Sequence, residues 1–282
     1  MERVAALTPS GTGPKIVVFI VILVALYYLY SFLSGNSGLQ GTVVLNSVKS
    51  ASPSSAYTTT GDALPAVYEG GELTLNTWVY INDYSINRGQ NKHVISLGGT
   101  NFLTCLVYLG PYKNTLSVRV QSNAASNRKP VSDSPTSSDV DLRTSTVNSL
   151  FGTLQTESSL LDPNTPCDIA SIELQKWVQV TVVLNNKTCD VYIDGKLTRS
   201  CVLPSFYRLD KSNTKLSVCD YTGFGGYVSN VSAYNYALNP EQIWNLYMTG
   251  PGPQYSVMEY ITSLFSPSSA MTLDYPKKNI TS

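Results

Sequence analysis

The chain has 282 residues, and its 19 basic and 19 acidic side chains give a formal net charge of zero. Charged residues make up 13% of the sequence, against about 25% in an average globular protein. Because a nucleic-acid partner requires a basic surface, this balance argues against one. All-β sandwiches of about 200 residues form single domains, so we expect one large domain with appendages.

The first predicted element is a membrane-spanning helix at residues 16–34, where the sequence is uncharged. About 20 apolar residues cross a bilayer as a helix. A cleaved signal peptide is the alternative, but its apolar region is only about 7 to 15 residues long. Arg3 and Lys15 precede the run, and no basic residue follows before Lys49. The positive-inside rule therefore predicts a signal-anchor at 16–34, with residues 1–15 in the cytosol and the C-terminal domain outside.

Residues 35–67 are rich in Ser, Thr and Gly, and we interpret them as a spacer with at most one edge strand. The strand pattern begins in residues 72–83, where apolar positions such as Leu73 and Val79 alternate with others such as Trp78 and Tyr80. Glycine and proline then separate further short strands at 94–97, 102–109 and 115–121.

Residues 122–170 break this pattern with a polar insertion. Long loops are functional or mobile, and a polar insertion without a role is an equally good interpretation. Its Asp139 and Asp141 could contribute to a Ca²⁺ site, but Ca²⁺ takes six or more oxygen ligands and two carboxylates do not make a site. We therefore predict no metal ion and no other cofactor.

The clearest strands lie in residues 177–203. Apolar residues occupy alternate positions from Val178 to Leu184, and a turn follows at 185–188. Asp194-Gly195 is typical of a type I′ hairpin, whose two central residues need positive φ. A two-residue turn sets the register, which pairs Tyr192 with Leu197, Val191 with Thr198 and Cys189 with Ser200.

Further strands at 215–219 and 226–236 precede one short helix. Asn239 is its predicted N-cap, Pro240 its first residue and Gln242 the partner in a capping box, and Gly250 ends it. A helix this short has to pack on the sheets.

The tail, residues 252–282, contains a second apolar pattern. Apolar side chains recur with helical period at Val257, Tyr260, Ile261, Leu264 and Phe265. We expect this amphipathic stripe to cover the domain's own surface; docking on a partner is the alternative.

Three segments, Gly71–Asp83, Trp177–Leu197 and Gly223–Pro251, resemble the laminin G-like, or concanavalin A-like lectin/glucanase, jelly-roll domains. The resemblance covers about residues 68–251. It is closer for membrane-anchored members encoded by large DNA viruses, in which segments similar to 167–177 and 200–204 flank the hairpin. The resemblance implies an all-β fold, a two-sheet antiparallel jelly-roll sandwich, on a cell surface or a virion.

The chain contains five cysteines: Cys105, Cys167, Cys189, Cys201 and Cys219. Outside the cytosol at least one pair should be oxidised. The register above places Cys189 and Cys201 on opposite faces, although a three-residue turn would reverse this. The viral resemblance implies a disulfide between Cys167 and Cys201, which leaves Cys105 and Cys189 as buried thiols.

N-glycosylation sequons begin at Asn186, Asn230 and Asn279. Asn186 lies on the predicted turn, and we expect glycans at Asn186 and Asn279 if the chain is secreted. Asn230 lies in a predicted strand, so its acceptor role depends on the face that it occupies.

The sequence offers no catalytic group. Glucanases of the resembled superfamily use an E-x-D-x-E strand motif, because alternate residues place two carboxylates on one face, and this motif is absent. His93 is the only histidine, so a zinc cluster or a Ser-His-Asp set lacks a second member. We predict that the protein is not an enzyme.

The favoured function is therefore a membrane-anchored, lectin-like module that binds glycan or protein outside the cytosol. Tyr108, Tyr112, Tyr207 and Tyr221 are candidates for stacking on sugar rings. The alternative is a structural protein, such as a minor capsid protein that links a membrane to a coat layer. A glycoside hydrolase is the least favoured interpretation.

Overall fold

The computed structural model describes residues 12–34, 41–123, 142–154 and 167–252. The chain divides into two units, Met1–Leu39 and Gln40–Ser282. The first contains α1 (Thr12–Ser34), in which the large apolar side chains between Ile16 and Tyr28 are exposed. Among the described residues, no helix is both long and apolar enough to cross a membrane. The signal-anchor at 16–34 stays a prediction from the sequence.

In its described residues, the second unit consists mainly of strands, with two short α-helices. The strands are β1 (Gly41–Leu45), β2 (Lys49–Ser50), β3 (Tyr57–Thr60), β4 (Glu72–Asp83), β5 (Lys92–Gly98), β6 (Leu103–Leu109), β7 (Leu116–Val120), β8 (Trp177–Asn185), β9 (Thr188–Ile193), β10 (Lys196–Val202), β11 (Lys215–Val218) and β12 (Gly225–Tyr234). The helices are α2 (Thr144–Gly152) and α3 (Pro240–Met248).

These strands form two antiparallel sheets. The seven-stranded sheet has the order β1-β12-β4-β8-β9-β10, with β2 also paired to β12. The five-stranded sheet has the order β3-β11-β5-β6-β7. The predicted two-sheet sandwich and its short C-terminal helix are confirmed.

Alternation along each strand explains why the two sheets pack face to face. Leu75 and Val79 of β4, with Val182 of β8, point inward and are at most 2% exposed. They share one core cluster with residues of the five-stranded sheet such as Ile95 and Val107. The intervening residues of β4 and β8 therefore point to the outer face of the seven-stranded sheet.

Two predicted irregular segments contribute to the sandwich. Residues 35–67, predicted as a spacer, supply β1, β2 and β3, which pair with β12 and β11. The predicted polar insertion at 122–170 supplies α2 in its described part. Val147 and Phe151 of α2 pack with Leu106 and Tyr108 on the outer face of the five-stranded sheet, and this burial holds the helix in place.

The β9–β10 hairpin differs from its predicted register by one residue. Asp194 and Gly195 have φ of 49° and 75°, as a type I′ turn requires, and Leu197 pairs with Tyr192 as predicted. A bulge at Thr198 then shifts the strand, so that Arg199 and not Thr198 faces Val191. One extra residue turns every later side chain to the other face.

This bulge places Cys201 opposite Cys189, where the prediction put Ser200. The prediction that Cys189 and Cys201 lie on opposite faces is therefore wrong. Cys201 is 3% exposed and forms a disulfide with Cys167, the pair that the resemblance implies, with a Cα–Cα distance of 5.7 Å. Cys105, Cys189 and Cys219 are buried free thiols.

Helix α3 has the predicted capping box. The backbone N–H of Gln242 donates to Asn239 Oδ1 at 2.8 Å, and the N–H of Asn239 donates to Gln242 Oε1 at 2.9 Å. Ile243 of the helix is fully buried against Val183 and Tyr192. The helix therefore covers one part of the outer face of the seven-stranded sheet and leaves the neighbouring part uncovered by α3.

Candidate functional site

The outer face of the seven-stranded sheet carries three aromatic side chains in one cross-strand row. Tyr80 of β4 pairs with Tyr227 of β12 on one side and with Trp177 of β8 on the other. The Tyr80 ring lies 6.2 Å from the Tyr227 ring and 5.5 Å from the Trp177 ring, measured between centroids. All three are half-buried. We call these residues the aromatic row.

The next row towards α3 combines polar and aromatic groups. Ser229 pairs with Trp78, and Trp78 pairs with Gln179. The Trp78 ring stacks on Tyr247 of α3 at 5.6 Å with an interplanar angle of 14°. Burial of Trp78 beneath the helix thus fixes one boundary of the aromatic row.

Gln179 is fully buried, yet neither of its side-chain amide atoms has a hydrogen-bond partner within the described parts of the chain. The same is true of the indole Nε1 of Trp78, whose side chain is 4% exposed. A buried polar group without a partner costs about 1 to 3 kcal/mol. Unsatisfied donors and acceptors therefore lie directly beside the aromatic row.

An ion-pair network borders the row next to Trp177. Lys176 Nζ lies 2.7 Å from Glu173 and 3.4 Å from Asp194. These two carboxylates, Glu173 first, raise the pKa of Lys176, which stays charged at neutral pH. Asp194 also accepts the backbone N–H of Gln179 at 2.9 Å. Because the cation is paired with two anions, this edge offers no unpaired positive charge.

The sequence of the sandwich matches a family model over residues 98–244, the model of a laminin G-type domain described as "Concanavalin A-like lectin/glucanases superfamily". The chain belongs to this superfamily. The match confirms the resemblance at the level of the domain, while its viral and membrane-anchored aspects stay predictions. No curated protein matches the chain.

Several solved structures are similar to this superfamily member. The botulinum neurotoxin serotype D ligand binding domain in complex with N-acetylneuraminic acid has 19% identity, a TM-score of 0.45, and coverage of 75% of this chain and 46% of its own. The serotype G binding domain has 16% identity, a TM-score of 0.44 and the same coverage values. The chain therefore spans less than half the length of these structures.

The aromatic row presents ring faces and phenol and indole groups on the outer face of the sheet. The faces of aromatic rings are apolar, and Tyr and Trp add a polar group at the ring edge. A hydrolase would need two carboxylates across the substrate, about 5 to 9.5 Å apart. Outward positions from Thr74 to Tyr80 and from Trp177 to Val183 carry no carboxylate.

The four tyrosines predicted to stack on sugars lie elsewhere. Tyr207 is fully buried and donates its hydroxyl to the carbonyl of Tyr68 at 2.7 Å. Tyr108 and Tyr221 contact Phe151 beneath α2. Tyr112 is half-buried and packs under the guanidinium of Arg88. All four rings thus contact other groups of the protein, and sugar stacking on them stays a prediction from the sequence.

His93 is buried between the five-stranded sheet and α2. Its Nδ1 accepts the backbone N–H of Asp220 at 2.9 Å, and its ring meets Phe151 and Tyr221 edge to face. Burial lowers the pKa of His93 to about 3, so the imidazole is neutral at physiological pH. It lies under a helix, remote from the outer face that carries the aromatic row.

A buried lysine that the sequence analysis did not single out is hydrogen-bonded to two loops. Lys92 is fully buried and donates to the carbonyls of Asn87, Gln90 and Pro111 at 3.2 to 3.3 Å. Its ammonium lies 4.5 Å from the Tyr84 ring centroid, and burial lowers its pKa to about 8. These contacts give Lys92 a structural role.

Within the described ranges, no three His, Cys, Asp or Glu side chains converge on a metal position. Asp139 and Asp141 lie outside those ranges. Among the sequons, Asn186 is exposed on the β8–β9 turn, whereas Asn230 is only 2% exposed. Asn279 lies outside the described residues, so glycosylation at Asn186 and Asn279 stays a prediction.

The sequence contained part of the signal for the aromatic row. Alternation in β4 and β8 already separates Tyr80 and Trp177 from the core residues, because side chains two apart share a face. Tyr227 could not be added, because its position depends on β12 pairing with β4 across about half of the chain. Nor does any local pattern show where α3 stops covering the sheet.

Proposed function

We propose that the sandwich is a non-enzymatic glycan-binding module and that the aromatic row is its sugar contact. The carrying observation is that Tyr80 lies between Trp177 and Tyr227 on one sheet face, with ring centroids 5.5 and 6.2 Å away. Membership of a superfamily of lectins and glucanases supports the proposal. Tyrosine and tryptophan give large contact areas at a low cost in conformational entropy.

A glycan array probed with the full chain tests the proposal. We expect binding to at least one oligosaccharide class, with loss of signal for Tyr80→Ala. The matched control is Tyr68→Ala, because Tyr68 is 69% exposed and lies outside the row. Absence of binding to any sugar, or equal signals for Tyr80→Ala and the unaltered chain, would refute the proposal.

We further propose that residues 16–34 anchor this module in a membrane with the sandwich on the non-cytosolic side. The support is the uncharged sequence of that run and the basic residues before it. Alkaline extraction of membranes carrying the full chain should leave the protein in the pellet. Release into the supernatant would exclude a spanning anchor.

A further inference from the structure

A cavity lies on the outer face of the five-stranded sheet, where α2 begins, and its volume is about 260 Å³. Leu103 of β6 and Val147 of α2 line it with apolar side chains that are at most 5% exposed. Phe102 and Tyr221 also line it. The aromatic row lies on the other sheet, so the cavity is separate from the proposed glycan contact.

Hydrogen bonds between two loops fix one wall of the cavity. Thr100 donates its backbone N–H to the carbonyl of Ser212 at 3.0 Å, and its hydroxyl lies 2.8 Å from Ser212 Oγ. The buried carboxylate of Asp210 accepts the backbone N–H of Asn101 at 2.7 Å and that of Phe102 at 3.0 Å. These bonds hold residues 99–102 against residues 210–213, so the cavity is preformed, as small-molecule sites usually are.

Hydrogen-bond donors predominate among the polar side chains that line the cavity. Thr100, Thr144 and Tyr221 each carry a hydroxyl, and Asn213 carries an amide. Lys215 supplies an ammonium group, which can only donate. None of the residues that line the cavity in the described part of the chain is acidic. An occupant therefore needs hydrogen-bond acceptors and gains from negative charge.

The charges around the cavity leave Lys215 able to meet an anion. Its Nζ lies 3.9 Å from Asp220 Oδ2, with both side chains about one-third exposed. An exposed ion pair is worth at most about 1 kcal/mol, so this contact does not commit the ammonium. The guanidinium of Arg208 lies 4.7 Å from the ring centroid of Phe102 and adds a second positive charge beside the wall. Burial, and to a smaller extent the charge of Asp220, raises the pKa of Tyr221, so its phenol stays protonated at neutral pH.

The volume limits the size of the occupant. A cavity of about 150 Å³ holds one benzene molecule, and sites for drug-sized ligands begin at about 300 Å³. The value of about 260 Å³ lies between these two and fits one ring with one small charged group. Apolar side chains are present for the ring and the ammonium for the charge.

We propose that this cavity binds a small carboxylate with a single-ring body, with the carboxylate on Lys215 and the ring against Leu103 and Val147. One ammonium balances one carboxylate, whereas a phosphate monoester carries nearly two negative charges. Aromatic acids and acidic sugars share this chemistry. The site is independent of the proposed glycan contact, because it shares no residue with the aromatic row.

Saturation-transfer difference NMR on the full chain tests the site with two carboxylates and their neutral counterparts. Benzoate is compared with benzamide, and glucuronate with glucose. Titration to about 10 mM covers dissociation constants near 1 mM, which correspond to a binding free energy of about −4 kcal/mol. We expect at least one carboxylate to bind saturably and its neutral counterpart to bind about fivefold more weakly.

Two pairs of variants locate the bound carboxylate. Lys215→Met should weaken its binding about fivefold. The matched control is Lys211→Met, which should leave binding unchanged, because Lys211 is exposed in the same segment and does not line the cavity. Thr144→Trp puts a large side chain at the exposed start of α2 and should block the cavity. Its control is Ser145→Trp, since Ser145 is also exposed but does not line the cavity.

Binding of glucuronate alone would support the site and identify an acidic sugar as its ligand, and binding of benzoate alone would identify an aromatic acid. Binding of neither carboxylate would overturn the proposal, as would equal affinities of each carboxylate and its neutral counterpart. Equal losses in Lys215→Met and Lys211→Met would also overturn it, because they would reflect net charge. Unchanged binding in Thr144→Trp would place the ligand outside this cavity and contradict the assignment.

Discussion

At the scale of single residues, Gln179 and Thr181 differ in whether their buried side chains are hydrogen-bonded. Its amide is buried without a partner among the described residues, whereas Thr181, two positions along β8, donates to Asn76 Oδ1 at 2.9 Å. Both side chains point to the outer face of the same sheet. Removing an unsatisfied group relieves a penalty, while removing a satisfied one breaks a bond.

We therefore predict that Gln179→Met raises the free energy of unfolding by about 1 kcal/mol. Thr181→Val should lower the free energy of unfolding by about 1 kcal/mol, because it leaves Asn76 without its donor. Urea denaturation of both variants measures the two effects. Destabilisation by Gln179→Met would show that the amide has a partner.

His93 predicts an acid-sensitive fold. Its pKa is about 3 in the folded protein and 6.5 for an unperturbed histidine, so below pH 6.5 the unfolded state binds a proton that the folded state does not. The free energy of unfolding therefore decreases as the pH falls below 6.5 towards the folded-state pKa of His93. Its slope approaches about 1.4 kcal/mol per pH unit. The charges nearest His93 include Asp220, which donates only its backbone N–H to the ring.

Urea titrations between pH 7 and pH 5, about the range in which a free histidine titrates, should show this slope. In His93→Gln the histidine contribution should be absent, while the contribution of the carboxylates remains. If the free energies of unfolding of the two proteins changed with pH in parallel, His93 would have to be protonated in the folded state.

At the scale of elements, α3 sets the boundary of the aromatic row through the Tyr247–Trp78 stack. Its capping box was readable from the sequence, because Asn239, Pro240 and Gln242 act within one turn. The bulge at Thr198 was not readable, since it depends on how β10 packs over the core at Cys201. Helix α2 was also missed, because Val147 and Phe151 are buried by a sheet that is distant in sequence.

Loss of the N-cap should destabilise α3, which forms this boundary. We predict that Asn239→Ala lowers the free energy of unfolding by about 1 kcal/mol. Asn245→Ala makes the same chemical change at an exposed position inside the helix, where alanine is favoured, and should leave stability equal or higher. Thermal unfolding followed by circular dichroism distinguishes the two. Equal losses would show that the capping box contributes nothing.

At the scale of the whole molecule, the described strands form two packed sheets, and the aromatic row lies on the outer face of the seven-stranded sheet. The predicted sheets were confirmed because alternation is a local property of each strand. The proposed contact surface could not be read in the same way, since it combines residues of β4, β8 and β12 beside α3. The tyrosines chosen from the sequence at loop edges are packed against other protein groups, whereas the row lies on paired strands, with Trp177 at the start of β8.

Calorimetric titration of the array's tightest oligosaccharide tests the central claim most directly, with the full chain, Trp177→Ala and Tyr68→Ala compared under one set of conditions. Loss of one aromatic contact of the row should cost more than about 1 kcal/mol. The account predicts an affinity about tenfold lower for Trp177→Ala and an unchanged affinity for Tyr68→Ala. An unchanged affinity for Trp177→Ala would contradict it.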